Sequence, residues 1–262
     1  MKRIVLALSA VAAFAAPALA ADMAPRYTKA PPPPVAAVVN WTGCYVGGGG
    51  GYGLWNQENT QFFDGPPRVQ SVATETVGGR GYFGTVQAGC DYQFPAMGTS
   101  FVVGAFGDYD FSSLKGKFTA FGSIGDEKMS SAWSVGGRVG WVALPGLLTY
   151  FSAGYTEATF DGVNFTDLLP PFGVPSGFYL GKKSYQGWFL GAGDEYALNF
   201  LPGLFWKTEY RFSEFDKSTS PLRDSVTNLP TGASYDSQKW VHTVRSELVY
   251  RFNWGSPVVA RY

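Results

Sequence analysis

The sequence predicts an all-β chain: an eight-stranded antiparallel transmembrane β-barrel with short turns at one rim and long loops at the other. Three observations predict it. Beyond residue 20 no apolar run reaches the roughly 18 residues that a membrane-crossing helix needs. The chain is nevertheless rich in aromatic residues and glycine, with 21 Phe, 15 Tyr, 8 Trp and 34 Gly in 262 residues. From Trp41 onward it breaks into stretches of alternating polarity about 10 residues long, the length of a tilted spanning strand.

The N-terminus carries Lys2 and Arg3, then an apolar stretch from Ile4 to Ala16, then Ala18-Leu19-Ala20. That order is the pattern of a cleaved export signal, with cleavage expected between Ala20 and Ala21. Removing Lys2 and Arg3 leaves 18 basic against 20 acidic side chains, a net charge of about −2, which gives nucleic acid nothing to bind. Residues 21–40 include Pro31-Pro32-Pro33-Pro34, cannot donate to a sheet, and read as an extended periplasmic leader.

Eight strand-like segments follow, at 41–55, 80–94, 100–112, 130–143, 147–160, 184–197, 203–213 and 239–252. The connectors after the second, fourth and sixth are short: Pro95 to Gly98, Leu144 to Gly146 and Phe200 to Pro202. Those after the first, third, fifth and seventh are long and polar. Short periplasmic turns and long extracellular loops are the pattern of barrels in outer membranes.

The faces agree with this reading. Trp206, Thr208, Tyr210 and Phe212 share one face of their segment, and Lys207, Glu209 and Arg211 the other. Val244, Leu248, Tyr250 and Phe252 oppose Arg245, Glu247 and Arg251; Trp133, Val135, Val139 and Trp141 oppose Ser134, Gly136, Arg138 and Gly140. Asp108, Asp110 and Glu195 fall on the same polar face. A face of mixed charge and glycine suits a narrow lumen, where charges must pair because a lone one is costly. Asp108, Arg138, Glu195, Lys207, Glu209, Arg211, Arg245 and Glu247 are therefore expected to form a lumen charge network. Eight strands leave an interior that side chains can fill.

These residues bring the chain close to a known family. The stretches Trp41 to Gly48, Gly104 to Asp108, Gly136 to Trp141, Gly191 to Tyr196, and Val241 to Phe252 resemble small outer-membrane β-barrel proteins of the opacity/surface-antigen type, often labelled porin family. The resemblance covers nearly the whole chain beyond residue 40. It implies an eight-stranded barrel in a Gram-negative outer membrane, a structural or surface role, lipid and the outer-membrane assembly machinery as partners, and no catalytic residues or cofactor. It extends to haem-type or adhesive binding, for which no residue here stands out. The chain departs from the family at Cys44, where an aromatic residue is usual, at Phe106, where an inward carboxylate is expected, and at Asp194, on the lipid-facing phase. It also continues past Phe252 to Tyr262, so either aromatic residue could serve as the assembly signal.

Remaining features have plainer readings. Cys44 opens the first segment and Cys90 closes the second, which sets both near the periplasmic rim on one outward face. In an oxidising compartment they are expected to form a disulfide. The single histidine, His242, and Ser246 lie four apart on a strand, about 13 Å at 3.3 Å per residue, too far for the contact an activated nucleophile needs. The glycine run 47–51 lacks the Lys-Ser/Thr of a phosphate loop and reads as backbone allowing close approach. Trp41, Tyr45, Trp55, Tyr92, Tyr196, Trp206, Tyr250 and Trp254 are expected in interfacial girdles. The loop aromatics Phe62, Phe63, Phe172 and Phe178 have a sugar-binding platform as their rival reading. Three functions remain open: a structural and surface barrel, a porin or narrow channel, and a surface ligand-binding or adhesive protein. Peptidoglycan, if bound at all, falls to the leader.

Overall fold

The computed structural model describes residues 39–120, 122–169 and 173–252. The expected signal, most of the leader, residues 253–262, Trp254 and Phe172 lie outside the described residues. The strands are β1 (Gly43–Phe63), β2 (Val69–Gln70), β3 (Glu75–Ala96), β4 (Thr99–Ala120), β5 (Ser123–Leu144), β6 (Leu147–Phe160), β7 (Val163–Asp167), β8 (Pro175–Leu180), β9 (Lys183–Ala197), β10 (Leu204–Asp224) and β11 (Pro230–Phe252). Eight of them form a closed antiparallel ring, β1-β3-β4-β5-β6-β9-β10-β11, with β11 returning to β1. Closure pairs every wall strand on both sides, which a hydrocarbon surround demands of a sheet.

The short turns occur where the sequence places them. Met97 and Gly98 both take positive φ (50° and 78°), the left-handed pair of a two-residue hairpin turn, and Gly146 at φ 84° follows Pro145 in the next. At the other rim the structure corrects the expectation. The third connector is not a long loop: β4 runs on to Ala120 and β5 begins at Ser123, paired to it. β1, β3, β4, β5, β10 and β11 are 21 to 23 residues long, about twice what a span requires. Where the shorter β6 and β9 stop, the β7–β8 hairpin bridges β5 to β10 and continues the wall.

The cause is an inversion of polarity along each strand. In the lower half the apolar residues point outward: Val103, Trp133, Val135, Val139, Leu190, Trp206, Val244 and Leu248 are exposed. In the upper half they point inward, with Phe118, Phe165, Leu222 and Tyr235 buried. Their outward neighbours Lys117 and Asp126 pair at 2.6 Å in the open. A sheet in lipid turns its apolar face out, and the same sheet in water turns it in. Between the two halves Tyr52, Tyr82, Phe111, Trp133, Tyr155 and Trp188 are exposed on the outer wall.

Candidate functional site

The site best defined by its chemistry is the barrel interior. Strand alternation aims Asp91 (β3), Arg138 (β5), Glu195 (β9) and Arg251 (β11) inward near the short-turn rim. Arg138 meets Asp91 through Nε at 2.9 Å and through Nη2, and meets Glu195 at 3.0 Å. Arg251 meets the same two carboxylates at 2.6 Å each. Two guanidinium groups and two carboxylates therefore close a ring. A side chain at position 104 would overlap the Asp91 carboxylate, so Gly104 on the neighbouring strand makes this ring possible.

A second network sits above. Lys207 contacts Glu247 (3.2 Å) and Glu209 (3.5 Å). Arg211 bridges Glu209 (2.7 Å) and Asp108 (3.0 Å), and Arg245 bridges Asp108 (3.4 Å) and Asp110 (3.1 Å). The Gln87 amide donates to Glu247 and accepts from Lys207, both at 2.8 Å. Higher again, Lys239 pairs with Glu127 at 2.7 Å.

Aromatic rings separate these groups. Trp41, Tyr45 and Phe205 cap the lowest ring, with Arg251 about 5 Å from each ring centre. Phe189 stacks under Arg211 at 4.2 Å, and Phe160 under Lys239 at 4.2 Å. The charges are shielded from water throughout: Glu195 is 0% exposed, and Lys207, Glu209, Arg211, Arg245, Glu247 and Arg251 are 2% exposed each.

The eight residues expected in the lumen all lie there, and the structure brings them into the contacts above. The networks also take in Asp110 and Arg251, which the sequence places on the same polar face, and Asp91, Lys239 and Glu127, which it does not single out. Asp91 follows outward-facing Cys90, so strand alternation alone would have turned it inward. Glu127 lay in a stretch taken for loop. One expectation is overturned: Trp41, Tyr45 and Trp55 are not girdle residues but rings buried in the interior, at 0 to 1% exposure. Cys44 faces out, so its neighbour Tyr45 must face in. Tyr92, Tyr196, Trp206 and Tyr250 are exposed on the outer wall, as a girdle requires. Phe106 points inward, between Lys207 and Phe189, and supplies a ring where a carboxylate was expected.

Cys44 and Cys90 stand directly opposite in the β1–β3 register and are joined by a disulfide, with Cα atoms 3.9 Å apart. His242 points outward, its Nδ1 2.8 Å from the Tyr210 hydroxyl and its ring 5.1 Å from Phe212. Ser246 accepts a hydrogen bond from Trp206 Nε1 at 2.8 Å. Neither side chain engages the other.

At the tall rim, the segment after β1 folds back against the outside of β11. Arg68 donates to Asp236 at 2.8 and 3.2 Å and to Ser234 at 3.0 Å, and lies 3.8 Å over the Phe62 ring. The Arg68 hydrogen bonds hold the Asp236 carboxyl below its ordinary range, and Thr219 adds a further bond. Asp224 is held low by the backbone and side chain of Thr227 in the β10–β11 turn.

No family model matches the chain. It is 30% identical over 267 aligned positions to the 31 kDa outer-membrane immunogenic protein of Brucella melitensis biotype 1, an alignment covering 96% of this chain and all of the relative. The protein of that name from Brucella suis biovar 1 matches equally. Among solved structures, the outer membrane protein OprG of Pseudomonas aeruginosa matches at 11% identity and TM-score 0.47, covering 80% of this chain and 97% of that one. The attachment invasion locus protein Ail of Yersinia pestis matches at 13% identity and TM-score 0.35, covering 80% and 99%.

Proposed function

The chain belongs to the family of the 31 kDa outer-membrane immunogenic proteins and is an outer-membrane β-barrel protein; from that premise we propose that it works as a structural and surface-displaying barrel whose lumen is closed. One observation carries the proposal. A water-filled channel leaves its wall side chains accessible, whereas the charged groups of this interior are shielded from water and paired in contacts of 2.6 to 3.5 Å. Three cations and four carboxylates of the middle network interlock across β4, β10 and β11, joined to β3 by Gln87, so no single rotamer change opens a path. The aromatic layers above and below would have to move as well.

Under this reading the protein reaches the membrane after cleavage between Ala20 and Ala21, residues 21–40 remain in the periplasm as a leader, and the assembly machinery inserts the barrel. The tall upper half, which carries the β7–β8 hairpin and the β10–β11 turn, is what the cell shows to its surroundings. Osmotic swelling of liposomes tests the closed lumen. Vesicles holding the refolded protein should swell in small sugars no faster than empty ones, while a general porin in parallel vesicles admits them. Swelling that scales with the amount of protein would assign a transport role instead.

A further inference from the structure

The upper half of the barrel holds a feature that the closed lumen does not use. Above the Trp55, Phe160 and Tyr185 layer a cavity of about 340 Å³ opens, within the range of small-molecule sites. Its level of the barrel turns apolar residues such as Phe118, Phe165 and Leu222 inward, but β1 carries a run of amides there. On β1 the inward positions are Gln57, Asn59 and Gln61, all buried. Burying amides is costly unless they are paired. The protein pairs only part of them: Asn59 Oδ1 accepts from Ser237 Oγ at 2.6 Å, and Gln61 Oε1 accepts from the Tyr235 hydroxyl at 2.7 Å. Among the described residues, Gln61 Nε2 finds no acceptor, and neither amide atom of Gln57, directly below, has a partner.

We propose that this cavity is a binding site for a short neutral saccharide. The lining chemistry selects that class. The amide nitrogens of Asn59 and Gln61 can donate, and the hydroxyl oxygens of Tyr235 and Thr119, whose hydrogens go to Gln61 and Glu75, can accept, the complement that sugar hydroxyls need. Among the described residues, Glu75, held by Thr119 Oγ1 at 2.7 Å, is the one carboxylate at the rim, and no cation lines the cavity, which disfavours anionic ligands. Val72, Ala120 and Leu168 give an apolar wall for the C–H face of a sugar ring. The site is also stiff. Tyr235 packs edge-on against Phe118, and Phe118 against Phe165, with ring centres 5.3 and 5.8 Å apart. The Arg68 clip fixes the segment that carries Val72 and Ala73. Stiff walls lower the ordering cost of binding.

Saturation-transfer NMR on the full refolded barrel, in a detergent without a sugar headgroup, tests this. N-acetyllactosamine represents host glycans, and delipidated neutral O-polysaccharide represents the cell's own envelope. A sulfated disaccharide is the anionic control. We expect transfer to one of the neutral probes and none to the sulfated one. Asn59→Ala with Gln61→Ala should weaken binding about tenfold or more, the worth of one to two hydrogen bonds. Ala73→Trp, at an exposed position on the rim, should abolish it by filling the cavity and leave heat-modifiable migration intact. No transfer to either neutral probe at millimolar concentration would overturn the proposal. So would equal transfer to the sulfated sugar, or binding that Ala73→Trp leaves unchanged. None of these outcomes bears on whether the lumen conducts.

Discussion

Arg138 shows how much depends on single side chains. Its guanidinium is buried against Asp91 and Glu195, and each of those carboxylates has only Arg251 as its other cation among the described residues. Truncating it strands charge in a medium that cannot solvate it. Arg138→Ala should cost about 3–5 kcal/mol, the usual penalty for breaking a buried pair from one side. Lys117→Ala breaks only the exposed pair with Asp126 and should cost under about 1 kcal/mol. Urea unfolding followed by tryptophan fluorescence compares the two; equal costs would mean that water reaches Arg138. Residue identity in the lower barrel was largely legible from the sequence, because a charge that alternates with lipid-facing apolar residues is directed into the lumen by the strand's period of two. The failures were errors of phase. Once Cys44 and Cys90 are placed outward, Tyr45 and Asp91 must turn inward, and Gly104 beside Asp91 becomes intelligible as room for the Arg138 contact.

Among the elements, β1 and β3 carry two different fastenings. At the periplasmic end the Cys44–Cys90 disulfide closes a chain separation of 46 residues. Its reduction should lower stability by about 2–4 kcal/mol through the freedom restored to the unfolded chain. The barrel should stay folded, since both strands remain paired along their length. Denaturant midpoints with and without reductant measure the effect. At the upper end the Arg68–Asp236 clip has a pH signature. Because the folded-state carboxyl titrates below its ordinary value of about 3.9, its contribution is present above that value and is lost only as pH falls further. A spin label at Ala73 should therefore stay immobile from neutral pH down to about 4 and loosen below it. Asp236→Asn should loosen it at neutral pH. Mobility unchanged in that variant would show that the clip does not hold the segment. Element lengths were the least legible part of the fold. Outward apolar residues revealed the spanning halves; beyond the membrane surface the pattern reverses, and strands such as 113–129 resemble loops when sought by the lipid-side rule.

As a whole the molecule is a barrel built for two solvents. Its lower half is a polar core wrapped in an apolar wall, and its upper half an apolar core wrapped in a polar one. The sequence carries both patterns, but only knowledge of where they exchange turns six of the eight short segments into tall strands of 21 to 23 residues and leaves a cavity above the lumen proposed to be closed. That sealing is the central claim, and single-channel recording in planar bilayers tests it most directly. Refolded, unheated barrel added to the bilayer should give no steady open-channel current. Arg138→Ala combined with Trp41→Ala, which removes one side of the lower ring and its aromatic cap, should give frequent openings. A large, steady conductance from the unaltered protein would contradict the account, because the buried ion pairs could not then be the filling of the lumen.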